Sequence, residues 1–131
     1  MNYRAQQSYL TSQVNTAHPG DLTLMLYNGC IKFMKQAIDS IEKKDYEAKN
    51  NYIQRAIDII DELMITLNMS YPISQNLFSL YQFMKENLIQ GNIKLDIQKI
   101  NVSMNLITEL KEAWAQALKQ VKSESPNTVT L

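Results

Sequence analysis

The chain has 131 residues, 45% of them hydrophobic, with 13 Lys and Arg against 13 Asp and Glu. A chain of this length suits one domain that buries about two-thirds of its unfolded surface, so we expect residues 1–131 to form a single domain. The balanced charge argues against a nucleic-acid partner, which requires a basic surface to displace phosphate counterions. The single cysteine, Cys30, excludes an internal disulfide and is typical of a reducing compartment.

The N-terminal sequence lacks the apolar region of a secretory signal, and no apolar run approaches the ~18 residues that span a bilayer. We therefore expect a soluble cytoplasmic protein without membrane insertion. Pro19, Gly20, Pro72 and Gly91 separate periodic segments, and no strand or hairpin signal occurs. The position of these Pro and Gly residues, together with the absence of strand signals, predicts an all-α fold.

The first predicted helix runs from about Leu22 to Glu42. Asp21 is its predicted N-cap, because an aspartate side chain can accept hydrogen bonds from the free N–H groups of the first turn. Lys43 and Lys44 follow the helix, where positive charge suits the negative end of the helix dipole. Apolar residues at spacings of three, four and seven form one inward face: Leu22, Leu26, Gly29, Phe33, Ala37 and Ile41.

The second predicted helix spans Tyr46 to about Leu67, with Asp45 as its N-cap, and the third spans about Ile73 to Gln90. Gly91 is predicted to end the third helix, because glycine adopts the left-handed conformation without a Cβ clash. The inward faces are Ile53, Ala56, Ile57, Ile60, Leu63, Met64 and Leu67, then Leu77, Leu80, Tyr81, Met84 and Leu88.

The fourth predicted helix runs from about Asp96 to Lys122. Short connections between four helices of this length predict an antiparallel up-down-up-down four-helix bundle. The polar residues 123–131 are predicted to form a disordered tail. The inward face of the fourth helix is Ile97, Ile100, Met104, Ile107, Lys111, Trp114, Leu118 and Val121.

A second apolar stripe lies beside that inward face, and it consists of Val102, Leu106, Leu110, Ala113 and Ala117. The two faces together cover an apolar arc of about 200°, whereas a bundle helix needs little more than about 100°. One interpretation is that the fourth helix is central and buries both faces. The other is that the second apolar stripe forms a groove filled by a partner chain or by an N-terminal arm, residues 1–20. The candidate arm side chains are Tyr9, Leu10 and Val14.

The sequence offers little for catalysis or for a cofactor. The only imidazole, His18, lies in a Pro/Gly turn, and Cys30 falls within the apolar pattern of the first helix, where a buried thiol is expected. Asp58, Asp61 and Glu62 cluster on one helix, but the di-metal sites of helix bundles also require histidines within helices. No phosphate-binding loop or zinc-protease motif is present. We predict no enzyme activity, no metal and no cofactor.

Two Leu-Tyr pairs place Tyr27 and Tyr81 beside inward-facing leucines. We expect each ring to lie at the margin of the core with its hydroxyl at the surface. Aromatic rings with a polar group are also frequent in interfaces, so both tyrosines are candidate partner contacts.

Five features in a fixed order resemble the FliS family of flagellar export chaperones, and together they span nearly the whole chain. They are YLTSQVNTAHP at 9–19, LYNG at 26–29, AIDIIDEL at 56–63, NLFSLYQFM at 76–84 and LKEAW at 110–114. Three features depart from the family's usual pattern. Asn28 replaces a usual Asp, Cys30 replaces a usual small residue, and MSYPIS at 69–74 replaces a frequent double glycine.

The resemblance implies a chaperone without catalytic activity that binds the C-terminal segment of flagellin in the bacterial cytosol. It implies that the chaperone prevents premature polymerisation and presents flagellin to the export gate. The segment would wrap around the bundle with amphipathic helices in apolar grooves, and the N-terminal arm would cover part of this surface when flagellin is absent. The alternative is a structural bundle that self-associates, for example as a homodimer, through the second apolar stripe. The predicted partner contacts are Tyr9, Leu10, Val14, Tyr27, Leu77, Tyr81, Leu106, Leu110 and Trp114.

Overall fold

A computed structural model describes residues 19–124, which form four α-helices. α1 spans Pro19–Glu42, α2 spans Tyr46–Ile65, α3 spans Pro72–Lys94 and α4 spans Ile97–Glu124. No strand occurs between residues 19 and 124. Residues 19, 20, 123 and 124 belong to helices, and the rest of the predicted arm and tail lies outside the described residues.

Neighbouring helices run antiparallel. Between α2 and α3, Lys49 Nζ donates to the Asn92 carbonyl at 3.1 Å, whereas Asp61, later in α2, meets Lys85, earlier in α3. Each helix packs against its neighbour in sequence, and α1 also packs against α4, which closes the ring. The predicted four-helix bundle is therefore confirmed. The same antiparallel order is seen in the contacts between α1 and α2 and between α3 and α4. These contacts are Phe33–Tyr52 and Cys30–Ala56, and Met84–Ser103 and Gly91–Ile100.

The core contains apolar side chains from all four helices, and most of them belong to the predicted inward faces. Each Leu, Ile, Phe or Met side chain among them contributes about 1.5–3 kcal/mol when it is fully buried. None of the helices between residues 19 and 124 is long and apolar enough to cross a membrane. Core residues include Leu26, Met34, Ala37, Ile53, Ile60, Leu63, Met84, Leu88, Ile100 and Ile107.

The two predicted N-caps have different outcomes. Asp45 caps α2 as predicted, because its Oδ1 accepts from the Ala48 backbone N–H at 3.2 Å. Asp21 is not the N-cap of α1, since the helix begins two residues earlier at Pro19. Proline suits the first turn, where its missing N–H leaves no helical hydrogen bond unmade. The Asp21 carboxylate instead accepts from Lys122 Nζ of α4 at 2.7 and 2.9 Å.

The prediction that Gly91 ends α3 is wrong. The helix continues to Lys94, and Leu95 takes the left-handed C-cap position with φ 53°. Gly91 is buried where α3 approaches α4: a Cβ there would lie 2.9 Å from Ile100 Cγ1 and 3.1 Å from the Asp96 carbonyl oxygen. The glycine is thus required by the close approach of two helices rather than by a positive φ.

Gly91→Ala is expected to lower the free energy of unfolding by about 1–3 kcal/mol, because the added methyl group overpacks the α3–α4 contact. Gly29→Ala is the matched control, since its Cβ would meet Ile59 Cδ1 at an ordinary 3.4 Å. There alanine's helix propensity should raise stability by up to about 1 kcal/mol. Urea unfolding measures both variants, and changes of the same sign would contradict this account of Gly91.

Candidate partner-binding surface

The second apolar stripe of α4 remains outside the core. Val102 is 39% exposed, and Ala113 and Ala117 are exposed as well. Leu106 and Leu110 are half-buried at the edge of the core. The interpretation in which α4 buries both apolar faces is therefore wrong: the bundle buries the inward face and leaves the second apolar stripe at the surface.

The second apolar stripe borders α3 rather than α1. Ser103 of α4 donates to the Met84 carbonyl of α3 at 2.7 Å, whereas Lys122 contacts Asp21 of α1. With 100° per residue, Leu106 lies about 60° from Ser103, on the side away from Lys122. The stripe is therefore next to the α3–α4 interface.

α3 contributes three apolar side chains to the same side. Lys85 marks the opposite side of α3, because its ammonium lies 2.8 Å from Asp61 Oδ1 in α2. Phe83 lies about 160° from Lys85 around the helix, and it is 52% exposed. Leu80 is half-buried between Phe83 and the core, and Leu77 is half-buried on the core-facing side near the start of α3. We name the surface between these three residues and the second apolar stripe the α3–α4 groove.

Three of the predicted partner contacts, Leu77, Leu106 and Leu110, lie in the α3–α4 groove. Their contact with a partner stays a prediction. Phe83 is not among the predicted contacts, because it directly precedes Met84 of the inward face and its side of the helix is defined only once α4 is placed. The signal that could have identified Phe83 is its position three residues after Leu80, within the LYQFM segment at 80–84. Tyr9, Leu10 and Val14 lie outside the described residues.

Trp114, another predicted contact, is half-buried and joins α4 to the start of α1. Its indole Nε1 donates to the Gly20 carbonyl at 2.8 Å. A Cβ on Gly20 would clash with the Leu118 side chain, so any larger residue here would require that side chain to move. With the Asp21–Lys122 ion pair, these contacts fix the start of α1 against the end of α4.

Tyr27 and Tyr81 lie in the core, so the expectation that their hydroxyls reach the surface is wrong. The two side chains are 3% and 2% exposed, and their hydroxyl oxygens are 2.7 Å apart. Burial raises the pKa of both hydroxyls, so both remain neutral at physiological pH. The pair links α1 to α3 across the bundle, and neither ring is accessible to a partner in this conformation.

Cys30 and Asp61, which were considered above for catalysis or metal binding, have structural roles in the bundle. Cys30 is fully buried, as expected, and burial raises the pKa of its thiol, which makes it unreactive. Asp61 forms an ion pair with Lys85. Between residues 19 and 124, no group of three or more His, Cys, Asp and Glu side chains is placed to hold a metal ion. His18 lies outside the described residues.

Comparison with known proteins identifies the family. A family model described as "Flagellar protein FliS" matches residues 1–121. The chain belongs to the FliS family. The flagellar secretion chaperone FliS of Bacillus subtilis strain 168 is 40% identical over 117 residues, which cover 89% of this chain and 88% of that protein. FliS of Salmonella typhimurium strain LT2 is 32% identical over 113 residues, 84% of each chain.

A solved structure shows the same fold. The crystal structure of a flagellar chaperone from bacteria superposes with a TM-score of 0.73 at 18% sequence identity, covering 89% of this chain and 97% of that chain. FliS proteins are flagellar secretion chaperones rather than enzymes. Membership of the family therefore implies a client protein, and the α3–α4 groove is the candidate surface for it.

Tyr27→Phe and Tyr81→Phe are each expected to lower the free energy of unfolding by about 1–3 kcal/mol, because each leaves the other hydroxyl buried without its partner. The double variant should lose less than the sum of the two single losses, since it leaves no unpaired hydroxyl. Urea unfolding of the four proteins measures this coupling. Strictly additive losses would show that the two hydroxyls do not stabilise each other.

Proposed function

We propose that this protein is a non-enzymatic export chaperone that binds the C-terminal segment of flagellin in the bacterial cytosol. It keeps the segment from premature polymerisation and presents flagellin to the flagellar export gate. Membership of the FliS family supports the chaperone role. The observation that carries client binding is the α3–α4 groove, an apolar surface that the bundle leaves outside its own core.

The groove suits an amphipathic helix. The distance from Val102 to Ala117 along α4 corresponds to about 22 Å, or about four helical turns. The α4 wall offers apolar side chains at spacings of three and four and the α3 wall at spacings of three, which suits the i, i+3, i+4 and i+7 anchors of a helix bound in a groove. Burial at about 25 cal/mol per Å² of apolar surface must exceed the ~2–5 kcal/mol cost of ordering the client.

The same contact explains how binding prevents assembly. A client segment with an exposed apolar face associates with other copies through that face. When the face lies in the α3–α4 groove, it is no longer available to another flagellin subunit. Because the contact is non-covalent, a competing surface that offers comparable burial can take over the client, which fits delivery to an export apparatus.

We propose further that the N-terminal arm shields the groove in the free protein through Tyr9, Leu10 and Val14. The contact of Trp114 with Gly20 supports this placement, because it holds the start of α1 against the last turns of α4. The chain therefore enters α1 at the end of the bundle where α4 and one end of the groove also terminate. An arm bound there reduces exposed apolar surface and lowers the apparent affinity for the client.

Titration with a peptide of the flagellin C-terminal segment is expected to give a one-to-one complex with added helicity by circular dichroism. Leu106→Glu should weaken binding about ten-fold or more, because the carboxylate would be desolvated against the client. Its free energy of unfolding should fall by less than about 2 kcal/mol, since the site is half-exposed. Asn50→Glu, which adds the same charge to an exposed position of α2, is the control and should bind normally.

The self-associating scaffold predicts a different result for the same proteins. It would be a dimer that does not respond to the peptide and that Leu106→Glu converts into a monomer. Normal peptide binding by Leu106→Glu combined with a large loss of stability would show that the stripe is core.

Deletion of residues 1–15 tests the arm. The truncated protein keeps all contacts between α1 and α4, so we expect it to fold with an unchanged unfolding midpoint. It should bind more of a dye that reports exposed apolar surface, and its affinity for the flagellin peptide should be equal or higher. Unfolding of the truncated protein would show that the arm is part of the core.

A further inference from the structure

The connection between α2 and α3 exposes an unusual amount of apolar surface. Of the nine large apolar side chains that are exposed between residues 19 and 124, four lie here: Ile65, Met69, Tyr71 and Ile73. Ile65 is 76% exposed and Ile73 is 64% exposed. We name residues 65–73 the α2–α3 tip. A cluster of this kind at a surface indicates a binding site for another apolar group.

The α2–α3 tip and the first half of α3 carry no charge. No Asp, Glu, Lys or Arg occurs between Glu62 and Lys85. The nearby polar groups serve the turn itself: Asn68 Oδ1 accepts from both the Ser70 hydroxyl and the Ser70 backbone N–H. An ionised group brought against residues 63–84 would lose water without gaining an opposite charge from that segment. The tip therefore favours an apolar, uncharged ligand.

The tip is continuous with the α3–α4 groove. Ile73, Leu77 and Leu80 follow one another at spacings of four and three, which places them on one face of α3. Leu77 and Leu80 form a wall of the groove. An occupant that extends past the first turn of α3 therefore meets Ile73 and then Tyr71.

The opposite end of the groove is basic. Lys94 lies about 20° around α3 from Phe83, and Lys99 lies about 20° around α4 from Leu106, so both belong to the groove side. Among the described residues neither ammonium has an ion-pair or hydrogen-bond partner. The Asp96 carboxylate between them in sequence accepts from the backbone of α4. The α3 wall of the groove is thus uncharged beside the tip, whereas the opposite end of the groove is basic.

We propose that the α2–α3 tip is a second part of the client-binding surface and that the charge difference sets the direction in which the client lies. The inference rests on the proposed function. The uncharged apolar end of the client segment packs on the tip, its amphipathic helix fills the α3–α4 groove, and its carboxylates lie beside Lys94 and Lys99. The proposal thus describes a client segment with three parts in a fixed order along its own chain: an uncharged apolar end, an amphipathic helix and a part that carries carboxylates.

Charge substitutions in the full chain test the tip. Tyr71→Glu is expected to weaken binding of the flagellin C-terminal peptide about ten-fold or more at both low and high salt, since its effect comes from desolvation. Tyr46→Glu is the matched control, an exposed tyrosine at the other end of the bundle, and should bind normally. Replacing both Lys94 and Lys99 by Glu should weaken binding at low salt, and screening should reduce that loss at high salt.

Spin labels test the direction. A nitroxide on Tyr71→Cys should broaden the NMR signals of the uncharged apolar end of a ¹⁵N-labelled peptide, and one on Lys94→Cys should broaden those of the acidic end. The buried Cys30 does not take up the label. Broadening in the reverse order, or the same broadening from both labels, would overturn the proposed direction.

The outcomes separate this inference from the proposed function. If Tyr71→Glu binds normally while Leu106→Glu does not, the tip lies outside the client surface and the inference fails alone. If both variants bind normally, the groove itself is not the client site. If Tyr71→Glu changes only self-association or only the effect of deleting residues 1–15, the tip holds a second copy or the arm, which also overturns the inference.

Discussion

The rotation of α4 about its own axis decides which of its two apolar faces is buried, and the rest of the surface depends on it. Two hydrogen bonds fix this rotation: Ser103 donates to the Met84 carbonyl of α3, and Trp114 donates to the Gly20 carbonyl of α1. The small residue Gly91 lets α3 approach α4 closely enough for this arrangement. With the inward face held between α1 and α3, the second apolar stripe necessarily lies at the surface, beside the exposed side of α3.

The inward face of α4 stabilises the bundle, whereas the second apolar stripe is left at the surface and is available for binding. The core and the buried Tyr27–Tyr81 hydrogen bond hold the four helices together, and the leucines of the α3–α4 groove pack only partly against that core. An apolar face exposed to water costs free energy. For a chaperone of the FliS family, the same face can bury the apolar face of a client. In the proposed function, binding replaces one exposed apolar face with a shared buried one and leaves the core as it is.

Much of this architecture could be predicted from the sequence, because apolar spacing along one helix reports directly on that helix. Four helices, their inward faces and the Asp45 cap follow from local patterns, and so does the excess apolar arc of α4. Contacts between distant segments could not be predicted in this way. Asp21 resembles an N-cap until Lys122 is seen to pair with it, and Gly91 resembles a helix end until α4 is placed against it. Tyr27 and Tyr81 look like marginal residues because their pairing links positions 54 residues apart.

The most direct test of the central claim is a methyl NMR spectrum of the full chain with and without the flagellin C-terminal peptide. The account predicts that the methyl signals of Val102, Leu106 and Leu110 shift on binding, while those of Ile53 and Ile60 in the core keep their positions. Shifts confined to methyl groups away from the α3–α4 groove, or no shift at saturating peptide, would contradict it.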